Sequence, residues 1–215
     1  MAKFDLRWAL ETSKKIEGWL APIEAELLYK LVSEIPQDTV IVEIGSYKGK
    51  STVVLGAACK FFKKNESWMG VWAIDPHQKP NYEIKPQYDE WSLGTYKDSY
   101  EDFITNIKNA ELEDIIISIR QTSEEAAKSN YLDSRTGTEI GLLFIDGLHQ
   151  REYVQLDYDL WSPKVTRGGI IAFHDSNPSN RDFSEGAGIV ADNELVKSGK
   201  YKWGRVKSIT YGYKR

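Results

Sequence analysis

From Thr39 onward the chain alternates short apolar runs with amphipathic stretches, and no other feature limits its possible folds as strongly. TVIVEIG is followed by STVVLGAACKFFKK, MGVWAID by SYEDFITNIKNA, IIISIR by SEEAAKSN and GLLFIDG by YVQLDYDLWSP, and GGIIAFHD closes the series. Strand-type runs taking turns with helix-type runs specify parallel strands joined by helical crossovers. Because TVIVEI, LLFI and GIIAF are almost continuously apolar, helices should cover both faces of the sheet. The end of the chain breaks the pattern: GIVADNELVKSG reads as a helix closed by Gly199, and YKWGRV with ITYGYK reads as a strand pair. The expectation is an α/β fold whose last strand enters the sheet in reverse.

Ahead of the alternation, residues 5–19 carry apolar positions at Leu6, Ala9, Leu10, Ile16 and Trp19 with a helical period that Gly18 interrupts. PIEAELLYKLVSEIP begins with Pro22, has acids in its first turns and stops at Pro36, as a second helix should. Residues 1–36 are therefore expected to be helices packed on a single domain spanning 37–215. Residues 76–95, PHQKPNYEIKPQYDEWSLGT, have no clear period and read as a long lid or binding loop. Tyr82, Tyr88, Trp91, Tyr96 and Tyr100 in and after it could cover a sugar or aromatic acceptor, or equally serve as local packing or a dimer contact.

With 41% hydrophobic and 28% charged residues, the composition is that of a globular protein. The net charge of −4 and pI near 5.5 give no overall basic field to gather a phosphate backbone, which argues against nucleic acid as a partner. Cys59 is the only cysteine and the N-terminus lacks a continuous apolar stretch, so the expected location is cytoplasmic, away from the membrane. The partner to expect is a small molecule, with self-association of the chain left open.

The strongest local signal is VEIGSYKGKST, a strand ending in Gly45 and Gly49 before a helix that begins near Lys50. In an open α/β sheet such a turn lines a ligand site beyond the carboxyl ends of the strands. Three ligands compete for it. The dinucleotide pattern needs glycines where this chain has Tyr47 and Lys50, and a phosphate-binding loop is one spacer residue short, with Ile44 where its first glycine belongs. S-adenosylmethionine carries no phosphate but has a cationic sulfonium and an amino-acid tail; Glu43 can answer the cation while Gly45 and Ser46 lie against the tail. Asp75, closing the second strand, is placed to accept two ribose hydroxyls, and Gln121, Thr122 and Ser123 follow the third strand where an adenine edge would lie. Ser123 before Glu124 and Glu125 is also a good helix start.

Taken together, VEIGSYKGKST, AIDPH, LLFIDGLHQREYVQLDYDLWSPKVTRGGIIAFHD and IEGWLAPIEAELLY resemble the class I S-adenosylmethionine-dependent methyltransferases, in the group of macrocin and sugar O-methyltransferases and cephalosporin-hydroxylase-like proteins. The resemblance implies a Rossmann-like, seven-stranded, mostly parallel sheet with a reversed C-terminal strand. It implies O-methylation of a small-molecule hydroxyl, with the cofactor held by Glu43, Gly45, Ser46, Asp75 and Ser123 and with Asp146 beside it. It also implies magnesium or another divalent metal at Asp146 and Asp175, with His174 where many relatives have a third acid. His149, close after Asp146, is the candidate general base. Two other readings stay open: a metal-dependent hydroxylase built on Asp146, His174 and Asp175, and a non-catalytic nucleotide-binding module built on the near-miss phosphate loop.

Overall fold

The computed structural model describes residues 2–62, 70–78, 98–129, 139–177 and 185–215. Its chain order is α1 (Leu6–Ser13), α2 (Pro22–Glu34), β1 (Thr39–Ile44), α3 (Lys50–Phe62), β2 (Val71–Ile74), α4 (Tyr100–Asn109), β3 (Ile116–Ile119), α5 (Ser123–Lys128), β4 (Glu139–Ile145), α6 (Arg151–Trp161), β5 (Val165–Phe173), α7 (Glu185–Ala191), β6 (Tyr201–Val206) and β7 (Ile209–Lys214). Most of the expected lid, residues 79–95, lies outside the described residues.

One seven-stranded sheet runs β3-β2-β1-β4-β5-β7-β6. Strands β1 to β5 pair in parallel, whereas β7 pairs antiparallel with both β5 and β6. This is the expected Rossmann-like sheet, and β7 is its reversed strand. The apolar runs are continuous because successive residues serve opposite layers. Ile41, Leu142, Phe144, Ile170 and Ala172 pack with α1, α2 and α3 residues such as Leu28, Val54 and Ala58. Val42, Ile44, Leu143, Ile145, Ile171 and Phe173 pack on the other side with Val154, Tyr158 and Trp161 of α6.

The two N-terminal helices start with recognisable caps. Asp5 accepts a hydrogen bond from the Trp8 N–H at 2.8 Å, and in α2 Pro22 fills the first turn while Glu24 reaches back to the Ala21 N–H at 2.8 Å. Toward the other end, α7 continues as a π-helical segment, Asp192–Lys197, before the β6–β7 hairpin. Among the described residues no helix is long and apolar enough to cross a membrane.

Strand order reverses between β1 and β4, and the crevice beyond their carboxyl ends is where such sheets bind ligands. Consecutive strand ends are stitched together: Gly45 N–H donates to Ile74 O at 2.9 Å, Asp146 N–H to Ile44 O at 2.8 Å, and His174 N–H to Ile145 O at 3.0 Å. Residues 45, 146 and 174 thus leave the sheet side by side.

Candidate active site

The glycine turn after β1 is shaped by close contact with the exit of β4. Gly45 has φ +86°, and a Cβ there would stand 2.1 Å from the Asp146 carbonyl oxygen, so only glycine fits. Tyr47 also takes positive φ, and its N–H points at the end of β2, donating to Asp75 Oδ2 at 2.8 Å; the His77 N–H donates to Asp75 Oδ1 at 2.6 Å. Two backbone donors therefore fix the Asp75 carboxylate, and each oxygen keeps a lone pair for another donor.

Behind the turn, Glu43 is fully buried, with one oxygen accepting from Thr52 Oγ1 of α3. Its second oxygen, Oε1, has no hydrogen-bond partner, and neither does the buried Ser46 hydroxyl. Burial pushes the Glu43 carboxyl up to about 8, against the pull of hydrogen bonds from Ser51 and Thr52. Buried polar atoms without partners are costly, and these two lie where the glycine turn meets the crevice.

The cations that a phosphate loop would offer are turned elsewhere. Lys50 Nζ donates to Gly18 O at 3.0 Å, and Lys48 is paired with Glu17 at 2.7 Å and Asp102 at 2.9 Å. With Glu43 and Asp75 at the crevice instead, the turn suits a cationic ligand better than a phosphate.

Beyond β4 and β5, ligand atoms of Asp146, His149 and Asp175 all lie within 4.8 Å of one another, a spacing that could hold a metal ion. His149 Nε2 is 3.3 Å from Asp175 Oδ2, and its side chain is 39% exposed. His174, by contrast, has a side chain only 3% exposed and lies behind this group. Its Nδ1 faces Asp146 Oδ1 at 3.0 Å and Asp175 Oδ2 at 3.1 Å, while Nε2 looks toward Glu24 of α2 at 3.6 Å. His174 therefore meets both aspartates from the buried side, while His149 is grouped with them at the open side.

Charge balance in this half of the crevice follows from those contacts. Burial alone would lower the His174 pKa, but Asp146, Asp175 and Glu24 overcome it and hold the ring well above the ordinary histidine value. The imidazolium in turn keeps Asp175 below the usual carboxylate range despite its burial, whereas burial still leaves Asp146 raised. Glu24, which also accepts from the Ser208 N–H at 3.0 Å and from the Ser208 hydroxyl, sits at about 2: burial would raise it, but these donors and His174 prevail. With two carboxylates and one imidazole, the open cluster is the reverse of the two-histidine, one-carboxylate set of non-haem iron oxygenases.

Of the remaining sequence candidates, Ser123 accepts a hydrogen bond from Trp161 Nε1 at 2.9 Å and opens α5, with Thr122 as its cap. At the end of β3 the free acceptor is Gln121 Oε1, buried and without a partner. His77 is buried between Tyr100 and Phe103, with Nδ1 3.0 Å from Ser99 Oγ. Glu24 and the backbone of Tyr47 were not singled out from sequence. Glu24 carries a helix-start signal that hides its reach to His174, and a backbone donor leaves no compositional mark.

This fold and crevice define the class I methyltransferase architecture. Residues 42–176 match a family described as a methyltransferase domain, Methyltransf_24, and the chain belongs to that family. Solved structures similar to it include CalS11, a TDP-rhamnose 3'-O-methyltransferase of calicheamicin biosynthesis (18% identity, TM-score 0.60, covering 89% of this chain and 77% of that one). The O-methyltransferase NovP is another (15% identity, TM-score 0.67, 88% and 78% covered). A third is TomG from Streptomyces achromogenes, solved with S-adenosylmethionine (11% identity, TM-score 0.63, 100% and 90% covered).

Proposed function

We propose that this protein transfers the methyl group of S-adenosylmethionine to a hydroxyl oxygen of a small-molecule acceptor, assisted by a divalent metal at Asp146, His149 and Asp175. One observation carries the reading: the unpartnered Glu43 Oε1 and Ser46 Oγ at the end of β1 and the Asp146–His149–Asp175 group beyond β4 and β5 stand at the ends of neighbouring strands. A cofactor in the first half would meet an acceptor in the second. Similar structures named as O-methyltransferases, one of them acting on a sugar nucleotide and one holding S-adenosylmethionine, support both the chemistry and the cofactor.

The donor set fits a hard or borderline divalent ion, with oxygen ligands from two aspartates; the imidazole favours manganese or zinc over magnesium. S-adenosylmethionine would supply an electrophilic methyl group, and a bound ion would lower the acceptor hydroxyl's pKa. The chain's own residues do the rest. Asp75 accepts the ribose hydroxyls with its free lone pairs, and Glu43 faces the cationic part of the cofactor, which favours its carboxylate form. Gly45 lets the backbone approach closely. His149 either completes the metal set or takes the acceptor's proton, and methylation that persists without metal would assign it to the proton. Alignment of methyl donor and oxygen supplies the larger share of the acceleration.

Calorimetric titration with S-adenosylmethionine and S-adenosylhomocysteine, with and without magnesium or manganese, tests the reading alongside Asp75→Ala. The expected result is dissociation constants on the order of micromolar in the parent and a loss of at least about tenfold in the variant. If neither ligand binds under any metal condition, the reading is wrong.

A further inference from the structure

Between α1 and α2 the chain forms a short strap whose two ends are fastened to the two halves of the crevice. At one end, Lys50 donates to Gly18 O at 3.0 Å, and Glu17 accepts from Tyr47 Oη at 3.2 Å and from Lys48 at 2.7 Å, so the strap is tied to the glycine turn. At the other end, the Ala21 N–H donates to Glu24, the carboxylate that faces His174 behind Asp146 and Asp175. Only Trp19 and Leu20 lie free between these anchors, and they part company. Leu20 packs against the core, while Trp19 turns outward with 75% of its surface exposed.

A single exposed apolar residue needs no explanation in itself. Trp19 differs because its chain neighbours Gly18 and Ala21 are both hydrogen-bonded and its ring lies against Tyr47. The indole lies 5.7 Å from the ring of Tyr47 at a 36° tilt, and the Tyr47 N–H is one of the two donors fixing Asp75. A largely open aromatic face therefore stands beside the glycine turn, on the segment that runs from the cofactor half toward the aspartate and histidine half. Ordering such a side chain in advance removes part of the entropy cost of binding a flat partner.

We infer that Trp19 is a specificity-determining residue of the acceptor site, stacking on a ring that carries neighbouring hydroxyls, one of which is directed to the Asp146, His149 and Asp175 group. The inference rests on the methyltransferase reading above. Two sources share this ligand chemistry, an aromatic diol and a pyranose with vicinal hydroxyls. Indole stacks on the π face of the first and on the C–H face of the second, so the arms of the test separate them.

The experiment compares the parent with Trp19→Ala and Trp19→Phe, using S-adenosylmethionine, manganese and either 3,4-dihydroxybenzoate or methyl rhamnopyranoside as acceptor probe. Methylation rates are measured together with equilibrium binding of each probe to the protein loaded with S-adenosylhomocysteine. Trp19→Ala should raise KM or the probe's Kd about five- to tenfold with kcat changed less than about twofold; Trp19→Phe should recover most of the affinity, and S-adenosylhomocysteine binding and the melting temperature should stay unchanged. The probe that responds identifies the ring type. Unchanged probe affinity in Trp19→Ala, or a parent that binds S-adenosylhomocysteine but neither probe, overturns the inference alone. A parent that binds no S-adenosylhomocysteine overturns the methyltransferase reading, and the inference falls with it.

Discussion

The two halves of the crevice manage charge in opposite ways. On the β1–β2 side, carboxylates are held by neutral groups: Asp75 by the Tyr47 and His77 N–H groups and Glu43 by the Thr52 hydroxyl, with no cation among those contacts. On the β4–β5 side, Asp146, Asp175 and Glu24 surround the buried ring of His174, whose charge compensates theirs. The first half is thus prepared to gain a cation from outside, and the second carries its own. That contrast suits a cationic cofactor on one side and an exchangeable ion and acceptor on the other.

The largest effect is expected where the halves touch. Gly45→Ala puts a Cβ against the Asp146 carbonyl in a left-handed backbone conformation, and the combined strain and overlap should cost about 3–5 kcal/mol of stability. Chemical denaturation checks this, and a cost below about 1 kcal/mol would mean that the two strand exits separate easily. Next comes His174→Ala, which leaves three carboxylates without their shared cation. Breaking a buried ionic set by removing one partner costs about 3 kcal/mol or more. If the comparison is right, manganese should return part of that loss by supplying the missing positive charge, whereas a loss unaffected by metal would make His174 a packing residue only.

Glu43→Gln probes the other half. The carboxyl titrates near 8 in the folded chain and near 4.5 when unfolded, so the folded state binds more protons between those values. Stability therefore falls as pH rises from about 4.5 to about 8, and it is flat outside that window. Removing the ionisable group should make the variant more stable than the parent at pH 8 by about 4 kcal/mol, with little difference at pH 4.5. The same variant should bind S-adenosylmethionine more weakly, because the cation loses its counter-charge. Thermal melts across pH with and without the ligand read both effects, and equal pH profiles for the two proteins would show that Glu43 is not buried as a charge-sensitive group.

How much of this could be read from sequence differs between the halves for a physical reason. Glu43, Gly45 and Asp75 come from short local patterns in which a strand end and a turn fix the geometry within a few residues. The alternating runs likewise revealed a sheet covered on both faces, and the paired runs at the end revealed its reversed strand. The β4–β5 half depends on which side chains from separate elements meet beyond the strand ends. His174 and Asp175 are neighbours in HD and touch each other, yet the imidazole is buried behind the aspartates while the Asp175 carboxylate also reaches His149 at the open side. Nor could local pattern show that Glu24, signalled only as a helix-start acid, reaches across to His174 and Ser208. Ser123 shows the same limit: its place after β3 was readable, but its bond to Trp161 of α6 depends on the packing of two helices.

The smallest predicted effect discriminates between ligand classes. In a phosphate-binding loop the lysine after the second glycine is the principal anion contact, and removing it abolishes nucleotide binding. In this chain the equivalent Lys50 donates to Gly18 O and fastens the strap, so Lys50→Met should remove one hydrogen bond worth about 1 kcal/mol or less. S-adenosylhomocysteine affinity should stay within about twofold of the parent, because the contacts assigned to that ligand come from Glu43, Ser46 and Asp75. Acceptor affinity should fall modestly, because a loosened strap no longer fixes the segment that carries Trp19. If Lys50→Met instead left the strap unaffected and removed binding of ATP with magnesium, the lysine would be an anion ligand, and the contrast between the two halves would have to be redrawn around phosphate.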